Sequence, residues 1–160
     1  MGLSEVSNIL WRERQLLELL LFKLEEEQLL LANGRTRWLA HAAGEIEDIL
    51  DEIKAVELAR AIEVASLAEQ LGIEPNASLR ELIEAAPAPW GHILDDHRTA
   101  FMTAVAEVQS MADSNRELIA RGQRDVQDAL SWLGANRDET YSASGTTTRT
   151  SGSSLFDRTF

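Results

Sequence analysis

Leucine recurs at Leu3, Leu10, Leu17, Leu24 and Leu31, a strict spacing of seven. Val6 and Leu20 fill two of the intermediate heptad positions, while Glu13 and Glu27 interrupt the others. A seven-residue repeat holds one seam of a helix against a partner. The pattern therefore predicts a first helix over residues 4–31. Ile9, Leu16, Leu19, Leu21, Phe22, Leu29 and Leu30 widen the seam, which predicts contact with two neighbours. Asn33-Gly34 supplies a left-handed stop. A second helix over 37–71, closed by Gly72, is predicted from the spacing of Trp38, Ala42, Ile46, Ile49, Ile53 and Val56, then Ile62, Ala65, Leu67 and Leu71. The short turn between the two predicts an antiparallel hairpin.

Ser78 and Glu81 have capping-box spacing, and Pro87 and Pro89 come soon after, so a short third helix is predicted over 78–86. The last helix is predicted over 90–133, closed by Gly134. Its apolar face carries Ile93, His97, Phe101, Ala104, Val108, Ala112, Ile119, Val126 and Leu133, with Asn115 and Gly122 as two poor core residues on the same face. At 1.5 Å per residue such a helix is about 66 Å long, against about 42 Å for the first. Unless it bends, it is expected to overhang its neighbours and to need another chain over its apolar stripe. The fold expected is all-α: an antiparallel bundle of three long helices with a short helix in the second connection, plus a flexible C-terminal tail.

The tail is read from composition. Twelve of the fifteen residues 140–154 are Ser, Thr or Gly, too polar to offset the entropy of ordering them. Residues 1–134 are thus expected to form the helical domain and 135–160 the tail. That tail carries Tyr141, the only tyrosine, and ends Leu155-Phe156-Asp157-Arg158-Thr159-Phe160.

Charge narrows the function. The 160 residues include 27 acidic and 15 basic side chains, a net charge of −12. Phosphates and anionic lipids recruit Lys and Arg, so the balance argues against nucleic acid and against membrane surfaces as partners. The most apolar stretch, residues 16–31, is broken by Glu18, Lys23 and Glu25–Glu27 and is too charged to span a bilayer. There is no cysteine, which removes disulfides, thiolate metal sites and thiol nucleophiles. No targeting signal is visible at the N-terminus, and cytoplasmic residence is expected.

Chemistry is sparse. The histidines are His41, His92 and His97; none is preceded by glutamate at the i−3 position used by helical di-iron sites. They are expected to be ordinary surface or half-buried residues, with His97 hydrogen-bonded in the corner after the short helix. A metal site using His92, Asp96 and His97 is the weakest alternative. Neither a phosphate-cradling glycine loop nor a nucleophile elbow occurs. The acidic clusters read as solvated helix faces. The basic pairs Arg12/Arg14 and Arg35/Arg37 read as ion-pairing surface residues. No catalytic activity, cofactor or metal is expected. Trp11, Trp38 and Trp90 read as core or corner packing, whereas Trp132, beside Leu130 and Leu133, is expected to suit a partner groove.

The run Asn8-Ile-Leu-Trp-Arg-Glu-Arg-Gln-Leu-Leu-Glu-Leu-Leu-Leu-Phe-Lys-Leu-Glu-Glu-Glu-Gln-Leu-Leu-Leu-Ala-Asn-Gly-Arg-Thr-Arg-Trp-Leu39 resembles flagellar export chaperones of the FlgN type, in their actinobacterial form. Shorter pieces look similar: Ala86-Pro-Ala-Pro-Trp90, Leu94-Asp-Asp-His-Arg98, Asn115-Arg-Glu-Leu118 and Gly122-Gln-Arg124. The resemblance implies a type III flagellar export chaperone that binds helical terminal segments of hook-filament junction (hook-associated) proteins in the cytoplasm. It implies that such a chaperone prevents their premature assembly and delivers them to the export gate or ATPase of the secretion apparatus. On this reading Leu118, Ile119, Gly122, Val126, Leu130, Trp132 and Leu133 are the expected client contacts. Gly122 would permit close approach or bending, and Asn115 would set register. Tyr141 is the expected gate contact by analogy with tail tyrosines of the family. The alternative is a self-assembling structural coiled coil without a client.

Overall fold

The computed structural model describes residues 2–141, with side chains as far as Gly134. Helix α1 spans Gly2–Ala32, α2 Leu39–Leu71, α3 Leu79–Ala85 and α4 Trp90–Tyr141. A single 3-10 turn, Thr36–Trp38, leads into α2. Strands are absent among the described residues, and the fold is an all-α helical bundle.

The helix ends obey local chemistry. Gly34 closes α1 with φ +65°; the Arg35 N–H donates to the Leu30 carbonyl at 2.8 Å and the Gly34 N–H to that of Leu31 at 3.3 Å. This crossed pair consumes carbonyls that a helix end otherwise leaves open. Gly72 closes α2 with φ +67°, and the Ile73 N–H reaches back to Ala68 at 3.1 Å. Ser78 and Glu81 form the expected capping box. The peptide bond before Pro89 is cis.

Contacts divide the chain into two units, Met1–Arg121 and Gly122–Phe160. In the first, α1 and α2 pair closely as the predicted hairpin, and α4 returns parallel to α1. The connection clusters Val6, Leu10, Val64, Leu67, Leu82 and Leu94 into one core. A second core holds Leu20, Leu24, Ile46 and Ile49, with Ile53, Val108, Met111 and Ala112 against it. Helix α1 therefore meets two neighbours, as its wide seam predicted.

The heptad interruptions are absorbed without leaving the seam. Glu13 is only 3 % exposed. Its Oε2 accepts a hydrogen bond from Arg60 Nη1 at 2.8 Å, and its Oε1 is buried without a partner. Burial outweighs the attraction of Arg60 and raises the carboxyl to about pKa 7; Glu57 pushes it the same way. Arg60 falls in step with Ile53, Val56, Val64 and Leu67 on α2, so the two polar residues face each other within an otherwise apolar seam.

Three expectations are corrected. Ile62 and Ala65 are exposed, while Val64, Leu67 and Ala68 take the buried positions. The seam of α2 runs through Ile53, Val56, Arg60, Val64 and Leu67, so Arg60 holds a seam place that an apolar residue was expected to take. Trp11 and Trp38 are half exposed. Trp11 packs edge-on against His97 with ring centroids 5.0 Å apart and lies under the Arg14 guanidinium at 4.3 Å. The last helix does not stop at Gly134 but runs to Tyr141. A lone glycine costs a helix only about 1 kcal/mol, and Ala135, Asn136 and Arg137 come after it without a proline. The Ser/Thr/Gly-rich segment from residue 142 onward lies outside the described residues.

Candidate functional site on the last helix

His97, Phe101, Ala104, Val108, Ala112, Asn115, Ile119, Gly122, Val126, Leu130 and Leu133 fall on one helical face by their three- and four-residue spacing. The first part of this face is used within unit one. Leu94 and His97 are buried. His97 Nε2 lies 3.2 Å from Ser7 Oγ, and Nδ1 lies 3.4 Å from Arg14 Nη1. Burial, and then the nearby Arg14 charge, lower its pKa, against a smaller opposing pull from Asp96. His97 is thus a structural residue bonded to α1. His92 and Asp96 sit exposed, 3.9 Å apart. Among the described residues, no group of three His, Asp or Glu side chains is placed to hold a metal.

Asn115 ends the covered stretch. It is buried, and its Nδ2 donates to the Leu24 carbonyl at 2.8 Å and to Glu27 Oε1 at 3.0 Å. Beside it Gln28 Nε2 donates to Ser114 Oγ at 2.9 Å. The second heptad glutamate, Glu27, thereby finds its partner on α4. These bonds, with Ser7–His97 further back, set a parallel register in which residue n of α1 stands near n + 88 of α4. Helix α1 ends at Ala32, which that register places level with Ala120.

Exposure changes where the register says it should. Leu118 is half-buried and Ile119 is 38 % exposed. In unit two every residue from Gly122 to Gly134 is exposed. Val126, Leu130, Trp132 and Leu133 are between 53 % and 66 % exposed. A Cβ built on Gly122 would meet nothing within 4 Å, so the close approach expected there has no partner among the described residues. Val126, Leu130 and Leu133 share one face and Trp132 stands to its side, as the 100° step requires. Tyr141 is the last residue of α4; its side chain lies outside the described residues. Exposed apolar groups at this spacing do no catalysis. They offer a helix-sized apolar surface.

The basic pairs separate. Arg12 bridges to Glu52 at 2.9 Å, as expected of a surface ion pair. Arg14 stacks on Trp11 instead. Arg35 and Arg37 form no ion pair among the described residues; Arg37 lies over the Trp38 ring at 4.6 Å. Two features escaped sequence reasoning. One is the Glu13–Arg60 pair, whose signal was an arginine in phase with the α2 seam. The other is this unpaired tip, whose signal was the lack of any acidic residue from 28 to 44.

No described helix is long and apolar enough to cross a membrane. Searches of curated proteins and of solved structures gave no match. A family model described as FlgN protein matches residues 1–149, which includes the bundle, the uncovered face and Tyr141. The chain belongs to the FlgN family and is a flagellar export chaperone.

Proposed function

We propose that this chaperone binds helical terminal segments of hook-filament junction proteins in the cytoplasm and holds them from premature assembly. The face of Leu118, Ile119, Gly122, Val126, Leu130 and Leu133, with Trp132 beside it, takes the client as an added helix. The single observation supporting this is the exposure of Val126, Leu130, Trp132 and Leu133 on a helix whose earlier turns bury the same face. An amphipathic client segment is equally unstable in water when bare, and pairing the two faces removes both from solvent. Residues 1–134 form the chaperone domain on this reading. Tyr141, beyond the client contacts, meets the export gate during delivery.

Titration of the full chain with a purified hook-associated protein tests it. Leu130→Asp together with Leu133→Asp is expected to weaken binding at least tenfold while helicity stays nearly unchanged. Tyr141→Ala is expected to leave client affinity intact and impair delivery alone. Absence of binding to any hook-associated protein would overturn the client assignment. Loss of helical signal in the double variant would place these leucines in a core.

A further inference from the structure

The tip of the α1–α2 hairpin is chemically unlike the rest of the chain. The −12 net charge contrasts with residues 28–44, which carry Arg35 and Arg37 and no acid. Neither arginine has an ion-pair partner among the described residues. Leu29 is 60 % and Trp38 51 % exposed. On the Leu29 side of the tip, Leu29, Leu30, Asn33, Gly34 and Arg35 line an open hollow of about 470 Å³.

The backbone of this turn is hydrogen-bonded. The Arg35 N–H is tied to Leu30 at 2.8 Å. Asn33 Nδ2 donates to the Leu29 carbonyl at 2.8 Å, and Trp38 N–H donates to Arg35 at 3.3 Å. Exposed Arg35, Arg37, Leu29 and Trp38 thus flank a turn whose backbone is already bonded, so a ligand need not order it. Guanidinium groups without a carboxylate at hand favour one from outside, where two-pronged pairing adds both strength and direction. Within the first unit the parallel register also carries Leu118 and Ile119 to the level of the α1 C-terminus. By that register Leu118 and Ile119 stand level with the tip.

We propose that the hairpin tip is a docking site for an acidic amphipathic helix, the carboxylate-bearing part of an exported client. Leu29 and Trp38 receive its apolar side, and Arg35 and Arg37 receive its carboxylates. The assignment of the occupant to a client rests on the function proposed above. The tip's preference for an acidic helix does not. Charge selects here: a basic helix would be drawn to the acidic faces elsewhere and repelled at the tip.

The test uses the full chain and two synthetic helical peptides of leucine and alanine, one flanked by glutamate and one by lysine. The glutamate peptide is expected to shift the Trp38 indole N–H resonance. Arg35→Glu with Arg37→Glu should weaken its binding about tenfold at low salt and less at high salt. The milder Arg35→Gln with Arg37→Gln should weaken it by a smaller factor, which keeps the test intact if charge reversal disturbs the turn. Equal Trp38 shifts with the lysine peptide, or unchanged affinity in both double variants, would overturn the proposal. So would binding of the glutamate peptide that appears only after residues 142–160 are removed, because the chain's own tail would then be the occupant. A hook-associated client that loses affinity through Leu130→Asp and Leu133→Asp but not through Arg35→Glu and Arg37→Glu would refute the tip alone. Glutamate-peptide binding at Trp38 without binding of any hook-associated protein would support the tip and refute the client reading.

Discussion

Two stretches of one helix face meet opposite fates. From Leu94 to Asn115, the inward side of α4 packs on the bundle, with Leu94, His97 and Asn115 buried and Phe101, Val108 and Ala112 partly so. From Gly122 to Gly134 the same periodic pattern lies in solvent. Propensity and amphipathicity do not distinguish them. Within the first unit the register places the α1 C-terminus level with Ala120. An amphipathic pattern specifies that a partner is needed, and only the register of its neighbours decides whether that partner lies within the chain.

The sharpest way to break this comparison is to truncate a leucine in each stretch. Leu94 is fully buried in the core shared by Val6, Leu10, Val64, Leu67 and Leu82. Leu94→Ala is expected to lower unfolding free energy by about 2–5 kcal/mol, the range for leucine truncation in a packed core. Urea denaturation monitored by circular dichroism measures it. A loss as small as that of an exposed position would mean that the first stretch is no more covered than the second.

Polar residues inside the covered region sharpen the contrast through pH. Glu13 has a folded pKa of about 7 against an ordinary value of 4.5. The folded state therefore holds its proton more tightly than the unfolded state. Stability falls as pH rises from 4.5 through 7, by up to about 3 kcal/mol at roughly 1.4 kcal/mol per pKa unit. His97 acts in the opposite sense. Its lowered pKa means that stability is lost as pH falls below 6.5 and through its folded value. Glu13→Gln removes the first effect and keeps a polar group beside Arg60. Its stability relative to the parent chain should rise between about pH 5 and 7 and level off above that in urea titrations. A difference that does not vary with pH would show that Glu13 is ionised throughout. Asn115 carries a smaller share. Its two hydrogen bonds to α1 imply a loss of about 1–2 kcal/mol for Asn115→Ala, again read by urea denaturation.

Much of the fold was legible because the signals were local. The heptad leucines, the stops at Gly34 and Gly72, and the Ser78–Glu81 box each depend on residues close in sequence. Asn115 was legible as an oddity on an apolar face, though its partners Leu24 and Glu27 lie 91 and 88 residues away and could not be named. Arg60 was missed because a charged residue at a seam position reads as a break in the seam; only the facing Glu13 explains it. Trp38 was assigned to packing on size, whereas its site at the hairpin tip leaves Arg37 as its cover. The extension past Gly134 was missed because glycine was read as a stop, and stopping needs the positive φ that Gly34 and Gly72 adopt. Gly134 is not among the glycines with positive φ.

The smallest expected effect lies in the exposed stretch. Leu130 is 62 % exposed, so Leu130→Ala removes little apolar area that folding had buried. It also replaces leucine with the residue of highest helix propensity. The expected change in unfolding free energy of the chain alone is within about 0.5 kcal/mol, as for surface substitutions generally. With a client helix present the same truncation leaves a void in a newly formed interface. Affinity for a hook-associated protein should then drop about tenfold, the effect of losing an interface anchor worth somewhat more than about 1 kcal/mol. Urea denaturation of the free chain and calorimetric titration with the client read the two numbers separately. A destabilisation of the free chain comparable to that of Leu94→Ala would show that this stretch is covered within the molecule, leaving no open face for a client.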